Sequence, residues 1–190
     1  MSDNHKIDKS RENFLETGKL LSKLAETEAK KIVVAANMIA ESFNAGGKIL
    51  ACGNGGSAAD AQHFVGEFVA RYNAERPSLG AISLSSDPSV VTALANDYGF
   101  DSVFAGQIEG LGKAGDVLVA ISTSGKSANI LAAIDAAKQK QMKIIALVGE
   151  YVHEKIKNCD LYFSIPSPST QSVQEVHMVI LHAIWEVATN

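Results

Sequence analysis

The chain has 190 residues, 46% of them apolar and 20% charged, with a formal net charge of −4. That length and balance fit one globular domain with a sizeable core and exclude two full domains. The acidic balance, with no lysine/arginine stripe on any predicted face, argues against a nucleic-acid partner; a small anionic metabolite held by backbone N–H groups and hydroxyls stays open.

The N-terminal stretch MSDNHKIDKSREN is polar and lacks the apolar core of a signal peptide, and no apolar run reaches membrane-spanning length. Two cysteines, Cys52 and Cys159, stand without CxxC spacing, which suits a reduced compartment better than a disulfide framework. The expectation is a soluble cytoplasmic protein with no membrane partner. From about Ser10 to Asn44, Phe14, Leu20, Leu21, Leu24, Ile32, Val33, Ala36, Ile39, Ala40 and Phe43 recur at helical spacing, and Asn44-Ala45-Gly46-Gly47 stops the helix. So long an apolar stripe ahead of the first strand has no evident partner in a small α/β unit, and a second subunit is the expected one.

Lys48-Ile49-Leu50-Ala51-Cys52 reads as a short buried strand, and it opens into Gly53-Asn54-Gly55-Gly56-Ser57. Glycines there let the backbone turn sharply and approach a ligand, and Ser57 is placed to cap a following helix whose free N–H groups face the turn. Such turns are common in α/β proteins, so the cluster alone is a weak phosphate signal. In that helix His63 and Glu67 lie four residues apart and meet on one face. Such a pair is also the ordinary make-up of a solvated helix face; its closeness to the glycine turn is what favours a site.

Further apolar runs follow at Leu79–Leu84, Val117–Ile121, Ile144–Val148 and Leu161–Ile165, with helical segments between most of them. This alternation predicts a parallel sheet covered on both faces, with ligands beyond the carboxyl ends of its strands. Thr92–Phe100 is a helix end carrying Asn96 and Asp97, whose polarity fits either a ligand contact or plain helix termination. The third strand runs into Ser122-Thr123-Ser124-Gly125-Lys126-Ser127 ahead of an alanine-rich helix. Four hydroxyls and a helix N-terminus make a phosphate cradle; ordinary capping accounts for one of them but hardly for four. It is not a Walker A loop. The last helix, about Gln171 to Ala188, carries Gln174, Met178 and His182 along one i,i+4 row among apolar residues.

Taken together, GNGGSAADAQHF, TALANDYGF, AISTSGKSAN and VQEVHMVILH resemble the phosphoheptose isomerases of the sugar-isomerase (SIS) domain family, over nearly the whole chain. GNGGS and STSG mark the wider family; His63 and Glu67 with Gln174 and His182 match the isomerases at their catalytic and metal positions. The resemblance implies a flavodoxin-like three-layer α/β/α sandwich on a five-stranded parallel sheet, one domain over residues 1–190 with 1–45 as a helical extension, and a homotetramer with sites at subunit interfaces. It implies the aldose–ketose isomerisation of sedoheptulose 7-phosphate to D-glycero-D-manno-heptose 7-phosphate, the first step toward the ADP-heptose of lipopolysaccharide.

On that basis Glu67 is the expected base and His182 the acid of an enediol mechanism. Ser122, Thr123, Ser124 and Ser127 are the expected phosphate ligands, and Asn54, Gly55, Gly56, Glu67, Asn96, Asp97 and Gln174 the other substrate ligands. Zinc is implied at His63, Glu67, Gln174 and His182, although glutamine lies outside the usual zinc set and a zinc-held glutamate is a poorer base. Gln174 and His182 are about 12 Å apart along their helix, so both meet one metal only with extended side chains. Two stretches depart from the family: Thr170-Gln171-Ser172-Val173 where many members have an acidic residue and arginine, and Gly149-Glu150-Tyr151-Val152-His153 in place of a glycine-rich turn. The rival is a non-enzymatic relative, a regulator that binds the replication initiator DnaA. That group lacks histidine at the position of His182, so His182 favours the enzyme.

Overall fold

The computed structural model describes residues 3–70 and 77–189. Its elements run α1 (Asp3–Asn44), β1 (Ile49–Gly53), α2 (Gly56–Val69), β2 (Ala81–Ser83), α3 (Pro88–Tyr98), α4 (Ala105–Leu111), β3 (Val117–Ser122), α5 (Ala128–Gln139), β4 (Lys143–Val148), α6 (Glu154–Lys157), β5 (Leu161–Ser164) and α7 (Thr170–Thr189), with a single 3₁₀ turn at Phe100–Ser102. All five strands are parallel, in the order β2-β1-β3-β4-β5. This is the flavodoxin-like doubly wound order, whose switch point lies between β1 and β3.

The strands bury alternate residues into two separate cores, as the two-residue period of a strand requires. Ile49, Ala51, Val117, Val119, Ile121, Ile145 and Leu147 pack with α1, α2 and α7 on one face. Leu50, Cys52, Leu118, Ala120, Ile144, Ala146 and Val148 pack with α4, α5 and α6 on the other. Continuous apolar runs, rather than alternating ones, are what a sheet covered on both sides demands. Burial pushes the Cys52 thiol up to about 12 and the Cys159 thiol up to about 11, so neither supplies a thiolate at neutral pH. No helix among the described residues is long and apolar enough to cross a membrane.

The long first helix finds a partner for part of its stripe within the chain, in α7. Leu24, Ala35 and Ile39 belong to the same core as Val173, Val176, Ile180 and Leu181 of α7. The stripe outruns that support toward its N-terminus: Phe14 is 78% exposed, with Ile7 and Leu15 also open. Near the crossing with α7, Thr17 donates to Glu175 Oε2 at 2.6 Å, and a cleft of about 490 Å³ opens over Phe14, Leu21 and Val179.

α7 also carries His177, fully buried, whose Nε2–H donates to the Val148 carbonyl at the end of β4, 3.2 Å away. Burial lowers its imidazole from 6.5 to about 4, against the smaller upward pull of that hydrogen bond. The neutral ring is therefore part of the native state, while the unfolded chain takes up a proton below its ordinary value. Stability from this residue is fully present above pH 6.5 and is lost as the pH falls from 6.5 toward 4, by roughly 3 kcal/mol in all. Urea unfolding at pH 7.5 and pH 5 is expected to show this loss in the wild type and a smaller one in His177→Gln; equal slopes in both would assign the acid sensitivity elsewhere.

Candidate functional site

β1 and β3 pair in parallel with Gly53 opposite Ile121, so the two loops that follow leave the sheet side by side. After β1, Gly55 at φ 56 starts α2 with no side-chain cap. Ser57, expected as the cap, lies instead in the first helical turn and is buried; the left-handed turn demands glycine, and the helix begins there. At Gly56 the backbone lies close against the carboxamide of Gln174, so that a Cβ there would displace the end of that side chain.

After β3, Ser122, Ser124 and Ser127 converge. Ser122 Oγ lies 3.2 Å from Ser127 Oγ and 3.5 Å from Ser124 Oγ, while Ser124 Oγ accepts from the Lys126 backbone N–H at 3.2 Å. Ser127 stands at the N-cap of α5 but its hydroxyl caps nothing. It is thus left to the hydroxyl group, at the positive end of the helix. Gly125 takes φ 63, and a Cβ there would strike the Tyr151 carbonyl. Thr123 is half-buried in the same loop.

α2 and α7 run beside each other in the same direction: Gly56 meets Gln174, His63 meets His182, and Trp185 Nε1 donates to the Glu67 carbonyl at 3.1 Å. Ala61, Phe64 and Phe68 anchor α2 in the core, the two rings edge to face at 5.0 Å. Each buried ring is worth about 1.5–3 kcal/mol. That stripe leaves His63 and Glu67 turned to α7. Glu67 is only 6% exposed, and its Oε1 lies 3.2 Å from His63 Nε2 and 3.4 Å from His182 Nε2. The two imidazole nitrogens are 2.9 Å apart. Three of the four residues expected to hold metal therefore present their ligand atoms to one point, while Gln174 packs its carboxamide on Gly56 at the start of the same seam.

Asn96 and Asp97 stand exposed at the end of α3, bonded to each other at 2.8 Å rather than to this cluster. Asn54 makes a contact that the sequence reading missed: its Nδ2 donates to Asn129 Oδ1 and its Oδ1 accepts from Asn129 Nδ2, each at 2.9 Å. Trp185, whose indole N–H bonds the Glu67 carbonyl, is a second contact that no sequence pattern marks. Asp60, one turn before His63, has its carboxyl raised to about 6 by burial, with His63 pulling the other way. Asp60 and Asn129 lie inside the quoted GNGGSAADAQHF and AISTSGKSAN segments, but no spacing marks either of them, or Trp185, as part of the site.

A carboxylate wedged between two imidazoles, beside a glycine turn and a hydroxyl loop, can move protons on a phosphorylated, hydroxyl-rich ligand and can hold a metal. Residues 14–149 match the SIS domain. The chain is 45% identical over 177 residues to a phosphoheptose isomerase of Methylibium petroleiphilum, covering 92% of this chain and 88% of that one. It superposes on the solved phosphoheptose isomerase of Neisseria gonorrhoeae with a TM-score of 0.87 at 41% identity, covering 94% and 96% of the two chains. For a phosphoheptose isomerase of Francisella tularensis the TM-score is 0.93 at 34% identity, covering 99% and 98%. The chain belongs to the SIS domain family and, within it, to the phosphoheptose isomerases.

Proposed function

We propose that the chain interconverts sedoheptulose 7-phosphate and D-glycero-D-manno-heptose 7-phosphate in the cytoplasm, on the route to ADP-heptose and lipopolysaccharide. The observation that carries this reading is the buried Glu67 carboxylate held between His63 and His182 next to the two loops at the β1/β3 switch point. The relatives lend the DnaA-regulator alternative no support.

The phosphate sits on Ser122, Thr123, Ser124 and Ser127 at the N-terminus of α5, where hydroxyls and helix N–H groups donate together. The sugar lies along the Asn54–Gly56 turn toward Gln174, with Asn96 and Asp97 at its outer edge. Glu67 takes the proton from C1 of the ketose, and the C–H electron pair becomes the C1–C2 double bond. The C2 carbonyl oxygen takes a proton from His182, giving the enediol. Glu67 returns the carbon-bound proton to C2, and His182, left neutral, takes the O1 proton, which leaves the C1 aldehyde and restores both groups. Donors of the glycine turn stabilise charge on the enediol oxygens.

The donor set fits zinc. Metal–ligand distances of about 2.0–2.1 Å in a tetrahedron imply donor separations of about 3.3–3.4 Å, close to the 2.9, 3.2 and 3.4 Å found here. His63, Glu67 and His182, with Gln174 as a fourth group, would hold it, and bound zinc would supply Lewis-acid polarisation of a sugar oxygen. Subunits assemble as a homotetramer whose interface uses residues 1–45, since the exposed apolar front of α1 at Ile7, Phe14 and Leu15 is what a second chain would cover.

Three outcomes test this reading. Glu67→Gln and His182→Ala are each expected to cut kcat for sedoheptulose 7-phosphate by about 10²–10⁴ while the far-ultraviolet circular dichroism stays that of the wild type; a tenfold effect or less would displace them from proton transfer. Metal analysis of the purified protein is expected to find zinc, and chelated protein with full activity would take zinc out of the chemistry. Phe14→Glu is expected to lower the mass read by light scattering below that of a tetramer, and an unchanged mass would move the interface off this face.

A further inference from the structure

The amide bridge between Asn54 and Asn129 takes no part in the proton transfers, yet it joins the two loops between which the ligand is divided. Asn54 follows β1, and Asn129 lies in the first turn of α5, two residues past Ser127. Each side chain both donates to and accepts from the other at 2.9 Å, and Asn129 is only 2% exposed. A reciprocal pair fixes orientation as well as separation, because one N–H and the carbonyl oxygen of each planar amide are engaged at once. An asparagine early in a helix commonly turns back onto its own backbone. Asn129 instead reaches across to the neighbouring strand end.

We propose that Asn129 is a positioning residue: its bridge holds the Asn54–Gly56 turn at a fixed offset from the Ser122–Ser127 loop, so that a phosphate seated on the loop brings the reacting carbons to Glu67. This rests on the reading of the two loops as the sugar and phosphate ends of the site. Asn54 then serves as a strut, and the sugar meets its turn through the backbone. Hydroxyls such as those of Ser122 and Ser127 fix a distance but rotate freely; the planar amide pair removes that freedom.

Leucine has nearly the shape of asparagine without its polar atoms. Asn129→Leu leaves the Asn54 amide facing an apolar group, whereas Asn54→Leu/Asn129→Leu replaces both partners and restores packing without direction. The single variant is expected to lose both thermal stability and kcat. The double variant is expected to regain the melting temperature while kcat stays roughly 30-fold or more below wild type, the scale of a small misplacement of reacting groups. Inorganic phosphate is expected to compete with substrate in both, within about threefold of the wild-type constant.

A double variant with wild-type kcat would overturn the proposal, and so would a single variant that loses stability but keeps kcat. Should leucine prevent folding, Asn129→Asp keeps one of the two bonds and is expected to lose kcat to an intermediate degree; full kcat there also overturns it. Failure of phosphate to compete in the wild type is a separate result, which overturns the phosphate-loop reading and the positioning role with it.

Discussion

The register of β1 against β3, with Gly53 opposite Ile121, sets the distance on which the rest of the site depends. Neighbouring strands lie about 4.8 Å apart, so two loops leaving adjacent carboxyl ends start within one side chain of each other. Because β2 lies beyond β1 and β4 beyond β3, the chain after β1 crosses to one face and the chain after β3 to the other. The crevice between them opens without any special residue to make it. What the residues add is content: a glycine turn narrow enough for Gln174 to approach on one side, and a hydroxyl loop at a helix N-terminus on the other.

The acidic half of the site depends on a second constraint, the side-by-side run of α2 and α7. A carboxylate as buried as Glu67 is costly to keep unless polar groups meet it. Here two imidazoles do, and Trp185 ties the backbone of the same turn to α7. The seam is stiffened from behind by Phe64 and Phe68 in the sheet-facing core and by α1 across α7. Much of the long first helix therefore acts as a splint for the helix that carries Gln174 and His182, and only its N-terminal half is left to do anything else.

Much of this was legible in the sequence. The five strands fall within about two residues of the apolar runs, because runs of four to six β-branched and aliphatic residues between helical segments have few other uses. His63 and Glu67 were legible as a pair because i,i+4 spacing is local. Their meeting with His182, more than a hundred residues on, rested on family resemblance; no periodicity states which two helices touch. The same limit hid Asn129, which sits in a helix start like any other asparagine until Asn54 is seen opposite it. Ser57 shows a different failure: residue type pointed to a serine cap, and the glycine whose φ the turn required came two residues earlier.

The stretch Gly149–His153, where family members carry a glycine-rich turn, gains a physical role from its surroundings. A Cβ at Gly149 would strike the carbonyl of Thr123, and the Tyr151 carbonyl leaves no room for a Cβ at Gly125. The Tyr151 ring carries the Lys126 ammonium 4.5 Å from its centroid. Two backbone contacts and one cation–π contact thus press this segment on the outside of the Ser122–Ser127 loop. A loop of rotatable hydroxyls gains most from such backing, since order conferred before a ligand arrives does not have to be supplied by the ligand. Val152 of the same segment packs against the core on the α5 face of the sheet, which anchors the brace.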